Sequence, residues 1–492
     1  MIRNKLMLLL AAVLCTLTAC RKDDIPSPKN LAVSATSVWL DGTAEAEATF
    51  TLTSSASWML TVEGDGYEVI PTSGPAGEHP ITVRSLAANT ASRRATLGRI
   101  VVHMEQQDEA LRVEVIQRPA TAPHAFFFVF IGTSLQQFFD RNMEAALAAM
   151  NAEIPGDGRV AALCCNRWQW QIAELRYDPA TMRTEQTTLH LFDHPDRSRP
   201  EFLTEAISEM MRLVPAREYG LVFGGHGTGW LPKGCDMFGS EAEAARARKA
   251  AAADPYPITR YFGEPGSQFD IAEIAASLKA TGARFEYLIF DDCFMSNIET
   301  LYTLREAARY IVASPCEIMG DGFPYGYVIP ALFAEDRTVP ERLQQVCEGF
   351  YRYYLTEYNP RYPSGCIALT DCDELEALAQ AAHPLFATAT APYAPEQLQS
   401  YEGLPRHLFY DLLQYAELTA TDMGALDAFR AQFDRAFPPE CRLHTPSFYS
   451  WYSRPNLLPI TYYSGVTCSI PSELYPAEVR QTEWWQEVTG RN

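Results

Sequence analysis

Several features are scarce or missing in this sequence, and each argues against a class of function. Basic residues are outnumbered: Lys and Arg total 40 against 61 Asp and Glu, a net charge of −21 over 492 residues. That balance repels phosphate backbones and argues against nucleic acid as a partner. Twelve cysteines never form a C-x-x-C pair or other metal-ligand spacing, and Cys164 and Cys165 are simply adjacent. The cysteines therefore carry no metal-site signature, and a calcium requirement has no readable signature. Apolar runs are short. The acids Asp291 and Asp292 lack the Thr/Lys set and nearby Gly-rich loop that phosphoryl chemistry would need.

Met1-Ile-Arg3-Asn-Lys5 is a basic start, and Leu6 to Ala19 gives an apolar stretch of 14 residues before Leu17-Thr-Ala-Cys20 ends in small side chains. This reads as a secretory signal over residues 1–19, too short for a membrane span. The string resembles a bacterial lipobox. That implies that Cys20 becomes the acylated first residue of the mature chain, held on a membrane by its lipid. The alternative is an ordinary cleaved signal with Cys20 incidental. Arg21-Lys22-Asp23-Asp24 resembles the acidic tether of surface-exported Bacteroidetes lipoproteins, and residues 20–30, with Pro26 and Pro28, read as a tether. The implied location is the outer membrane, at the cell surface or on the periplasmic face. Disulfides are permitted in an exported chain, but no pairing follows from the sequence.

Residues 31–119 are rich in Thr, Ser and Val. Period-two alternation at Ala46–Leu52, Trp58–Val62, Pro80–Val83, Arg99–His103 and Leu111–Ile116 predicts short strands of a small β-sandwich. Ser57-Trp58, Pro71-Thr-Ser73-Gly74, Asn89, Arg94-Ala-Thr96 and Val115-Ile-Gln117 give this stretch a pattern that resembles the BACON domain of Bacteroidetes surface proteins. Trp58 reads either as a glycan-stacking platform or as a core tryptophan. A small domain needs large apolar residues to bury, which favours the core and a spacer role over glycan contact.

After the linker Arg118–Pro123, residues 124–492 alternate strands and helices, the mark of a mostly parallel sheet covered on both faces. Ala125–Ile131 reads as a buried strand. Ser134-Leu-Gln-Gln137 reads as a capping box opening a helix along Phe138, Phe139, Met143 and Ala146. Asp270-Ile-Ala-Glu273 opens another helix that Gly282 closes, and Ser296-Asn-Ile-Glu299 opens a third with Leu301, Leu304 and Ala308 inward. Cys235 to Gln268 interrupts the rhythm and reads as an exposed, helix-prone insertion.

Two strings stand at the ends of apolar runs: Gly225-His226-Gly227 after Tyr219–Phe223, and Asp291-Asp292-Cys293 after Phe285–Phe290. Each run has the length of a buried strand, and ligands bind outside the carboxyl ends of such strands. A histidine and a cysteine there read as base and nucleophile, although core residues are the plainer alternative. A free thiol has a pKa of about 8.5 and is mostly protonated at neutral pH. The positive end of the helix after Cys293 favours thiolate, and His226 is able to relay the proton. Asp291 and Asp292 oppose thiolate unless they face away or are neutralised by a bound cationic substrate. The N–H groups of Gly225, Gly227 and Cys293 are candidate donors to an oxyanion, worth about 3 kcal/mol each.

A strand ending in His-Gly and a later one ending in Asp-x-Cys resemble the caspase-like cysteine peptidases. The string Phe290-Asp-Asp-Cys-Phe-Met-Ser296 is similar to the clostripain family, as are Ala313-Ser-Pro-Cys-Glu317, Gly320-Asp-Gly-Phe-Pro-Tyr325 and the Tyr463-Ser-Gly465 to Ile470-Pro471 segment. The resemblance implies a caspase-like α/β/α sandwich, a Cys293–His226 dyad with no catalytic metal or other cofactor, and an oxyanion hole formed by the amides of Gly227 and Cys293. It also implies a protein or peptide substrate cut after Arg or Lys, with Asp291 and Asp321 binding the basic side chain. For Asp291 a loop cap is the alternative, and for Asp321 the Gly-Asp-Gly turn itself. Self-cleavage between the two strings is implied too. There Arg246, Arg248 and Lys249 would suit the cut, unless they are merely helix-surface charges. Asp292 departs from the Asp-Ala-Cys that clostripain itself resembles. A catalytically inactive, peptidase-like surface binding protein is therefore the competing function. His190, His194, His383, His407 and His444 have no catalytic setting in the sequence.

Overall fold

The computed structural model describes residues 30–490 apart from 106–107, 109, 132, 152, 167–168, 179–180, 236, 239–268, 388–390 and 452. Cys20, Arg246, Arg248 and Lys249 lie outside the described residues, as does most of the segment read as an insertion. No helix among the described residues is long and apolar enough to cross a membrane.

The first region is all-β. One sheet orders the strands Leu31–Val33, Glu47–Ser54, Gly77–Ser85 and Tyr67–Ile70. The other orders Ser37–Leu40, Leu111–Gln117, Ala95–Met104, Trp58–Gly64 and Ser73–Gly74. Alternate residues turn inward, so Phe50, Leu52, Leu60, Ile81, Val83, Ile100, Val102, Val113 and Val115 form one core. Trp58 belongs to that core at 3% exposure. A Cβ on Gly74 would lie 2.6 Å from its ring, so the glycine makes room for the indole.

The second region is built on an eight-stranded sheet. Its strands are β1 (Ala122–Phe130), β2 (Arg159–Asn166), β3 (Gln169–Asp178), β4 (Arg183–Leu191), β5 (Ala216–Gly224), β6 (Phe285–Asp291), β7 (Ala308–Ala313) and β8 (Ala368–Asp371), ordered β4-β3-β2-β1-β5-β6-β7-β8. The five strands from β2 to β7 in that order are parallel; β3, β4 and β8 join antiparallel at the edges. Both faces are covered, so β1 is wholly apolar from Ala125 to Phe130. Phe127 and Val129 point into the layer of helices α2 (Pro200–Leu213), α3 (Ile271–Ala280) and α4 (Ile298–Leu304). Phe126, Phe128 and Phe130 point into the opposite layer, with α1 (Gln136–Ala149) and the helices Tyr325–Leu332 and Val339–Arg352.

The helix starts are partly as expected. Asp270 caps α3 in a reciprocal box with Glu273, and Gly282 follows it at φ 78°. Ser134 does not cap α1, which begins at Gln136 after a short 3₁₀ turn. Asn297 rather than Ser296 caps α4, its side chain accepting from Thr300 N, while the Ser296 hydroxyl donates to Gly465 O at 2.7 Å. The helix ends at Leu304, and Ala308 instead opens β7 opposite Phe285.

Candidate active site

Gly224, the last residue of β5, is paired in register with Asp291, the last of β6. His226 and Cys293 each lie two residues beyond that pair. The loops then touch: a Cβ on Gly227 would lie 2.2 Å from Cys293 O and 2.9 Å from Cys293 N. A side chain at 227 would therefore separate the two strings. Phe294 turns the chain at φ 61°, a left-handed conformation costly for a non-glycine residue. Its ring stacks on Phe409 with centroids 4.9 Å apart, and its N–H donates to Cys316 O at 3.2 Å.

Cys293 has no exposed surface. Its sulfur accepts from Ile318 N at 3.2 Å and lies 3.7 Å from Ile318 O, to which the thiol donates. Burial, then the Glu317 carboxylate, pushes the thiol well above its ordinary pKa; the Ile318 N–H opposes this and Asp292 adds to it. Glu317 is itself buried and accepts from Trp451 N at 3.2 and 3.3 Å. Nothing local in the sequence ties it to a sulfur 24 positions earlier. The thiol described is closed and protonated.

His226 is half-buried, and its Nε2 lies 2.9 Å from the Ser134 hydroxyl. Ser134 thus serves the histidine rather than a helix start. Its local spacing gave no sign of a partner 92 residues away.

A buried network joins the two loops from below. Trp230, four residues past His226, donates from its indole N–H to the Ser469 hydroxyl; Ser469 N donates to Glu299 Oε1 of α4 at 2.7 Å, and its hydroxyl to Leu408 O at 2.8 Å. Burial raises the Glu299 carboxyl to about 7, against the pull of the Ser469 N–H.

Asp291 has no exposed surface, and accepts from Phe323 N at 3.2 Å and the Tyr325 hydroxyl at 2.8 Å. It holds the 320–325 loop on which Asp321 stands. Asp321 is partly exposed, pairs with Arg141 of α1 at 2.8 Å, and accepts at its backbone carbonyl from Asn142 Nδ2 at 2.7 Å. Among the described residues, no group of three or more His, Cys, Asp or Glu is placed to hold a metal ion. His190, His194, His383, His407 and His444 have their contacts elsewhere: Glu209, Asp193, Glu487, Glu402 and Thr445.

The arrangement can carry acyl transfer once the thiol is uncovered: a cysteine in the loop after one strand, a histidine in the loop after its neighbour, and the Gly227 backbone packed against that of Cys293. Comparison with known proteins points to a cysteine-type peptidase. The model described as "Clostripain family" matches residues 181–422. A secreted C11 cysteine protease from Bacteroides thetaiotaomicron, "iotapain", is similar at 27% identity and TM-score 0.64, over 75% of this chain and all of that one. An inactive zymogen C11 protease from Parabacteroides distasonis is similar at 26% identity and TM-score 0.61, over 75% and 99%. A secreted C11 protease of B. thetaiotaomicron in complex with an irreversible peptide inhibitor shares the fold at 21% identity and TM-score 0.62, over 74% and 98%. No curated protein matches the chain.

Proposed function

We propose, from the premise that this chain belongs to the clostripain family and is a cysteine-type peptidase, that it is an exported endopeptidase using Cys293 and His226. Cys293 Sγ attacks the scissile carbonyl, the amides of Gly227 and Cys293 hold the oxyanion, and a thioester forms as the amine leaves. His226 takes the thiol proton and returns it to that amine; water then releases the acid. The level ends of β5 and β6, which bring an imidazole-bearing loop onto the cysteine backbone, are the observation that carries this reading.

The described form is closed, and attack requires the Ile318 contact with the sulfur to open. A relative described as an inactive zymogen supports a precursor state. Self-cleavage near Arg246, Arg248 and Lys249 is the proposed release. The proposed preference is Arg or Lys at P1. Asp321 would meet the basic side chain after Arg141 leaves it. Asp291 would contribute once its bonds to Phe323 and Tyr325 are exchanged. The all-β region serves as a BACON-like spacer, and Cys20 as the lipid anchor at the outer membrane.

One observation favours the second reading, an inactive binding protein: Asp292 and Glu317 both disfavour thiolate. A peptide-library digest compared with Cys293→Ala tests the proposal. Cuts after Arg or Lys in the wild type alone support it, and no cuts by the intact or the processed chain would leave the binding reading.

A further inference from the structure

Between the sandwich and the edge of the eight-stranded sheet lies a cavity of about 350 Å³, within the range of small-molecule pockets. Five arginines line it against three carboxylates, the reverse of the chain's overall balance. Arg94 is matched to Asp157 at 2.8 Å, Arg159 to Glu174 at 2.7 Å, and Arg176 to Asp41. Arg212 is held by Glu209 at 2.6 Å.

Arg118, on the linker between the two regions, is different. Its side chain makes no hydrogen bond or ion pair among the described residues, and its Nε is buried without an acceptor. The guanidinium is stacked 5.0 Å from the centroid of the Trp39 ring, on which Arg94 also stacks at 5.2 Å. Burial, then the neighbouring Arg176, pushes Arg118 down to about 10, which still leaves it charged at neutral pH. Glu174 and Asp41 act on it only at a distance and are each already paired, to Arg159 and Arg176; a desolvated cation without a direct partner is costly, and an anion beside it relieves the cost.

We propose that this cavity is a binding site for a small oxyanion, a carboxylate or phosphate group, with Arg118 as the capturing residue and Trp39 fixing the plane of its guanidinium. The edge donors of a planar guanidinium take two oxygens of such a group at once. Since walls of both regions form the cavity, the bound anion also ties the sandwich to the peptidase region. The site is independent of the proposed peptidase mechanism.

The test is calorimetric titration of the full chain with inorganic phosphate and, separately, with succinate, each against chloride at equal ionic strength. Saturable one-site binding of at least one is expected, with a rise in unfolding temperature. Binding by phosphate alone or succinate alone assigns the class. Arg118→Gln is expected to weaken binding at least tenfold and remove the thermal shift. If that variant does not fold, Arg118→Lys, which keeps charge without the fork, is expected to bind several-fold more weakly. No saturable heat with either anion, or unchanged affinity in the folded variant, overturns the proposal.

Discussion

Gly224 and Asp291 face one another in register at the ends of two parallel strands. Two residues beyond each end, in the loops that follow, stand His226 and Cys293. A separation of 67 residues in sequence becomes a meeting of neighbouring loops. The contact that closes it is Gly227 on the Cys293 backbone.

Gly227→Ala tests that contact. The added methyl would lie 2.2 Å from Cys293 O, a backbone atom that cannot swing away. Overpacking of this kind costs about 1–3 kcal/mol, and thermal unfolding is expected to show it together with a large loss of turnover. Gly225→Ala, whose nearest atom is Ile131 O at 3.0 Å, is expected to be milder. Equal, wild-type behaviour of both variants would contradict the packing.

Glu299 gives a pH signature. Its carboxyl is raised to about 7 by burial, so the folded chain holds a proton that the unfolded chain has lost above its ordinary value of 4.5. Its contribution to stability is present below that value and is lost as pH rises to about 7, up to about 3 kcal/mol. Glu299→Gln is therefore expected to gain stability relative to wild type between those pH values, with the difference level above them. Denaturant melts across the range check it, and a flat difference would contradict the assignment.

Asp321 and Arg141 form a half-exposed pair, which contributes about 0–1 kcal/mol to stability. Asp321→Asn is expected to leave the unfolding temperature nearly unchanged while lowering kcat/KM for Arg substrates tenfold or more. Arg141→Ala, which removes the competing cation and leaves the Tyr358 contact, is expected to lower KM for the same substrates. Kinetics on Arg and norleucine P1 peptides separate these effects, and equal losses on both would remove the pocket role.

The two strands that carry the candidate site are legible because buried parallel strands read as unbroken apolar runs, so a polar residue after Phe223 or Phe290 stands out. Asp270 was legible because a capping box is a local pattern. The residues that missed their expected roles were decided by distant partners. Ser296 and Asn297 are both good caps, and the choice fell to Asn297 because Gly465 O takes the Ser296 hydroxyl. Ser134 went to His226, and Glu317 gained its influence only when β7 placed the following loop over the sulfur. The strands β2 to β4 went unread in sequence, although Val160–Leu163 is wholly buried; their polar edges lack the strong apolar signal of β1.

The most direct test of the central claim is mass-spectrometric mapping of the chain after treatment with a lysyl acyloxymethyl ketone, before and after activation. A single adduct on the peptide holding Cys293, absent in Cys293→Ala and strongly reduced in His226→Ala, is the expected result. An adduct on another cysteine, or peptide cleavage that persists in Cys293→Ala, would contradict it.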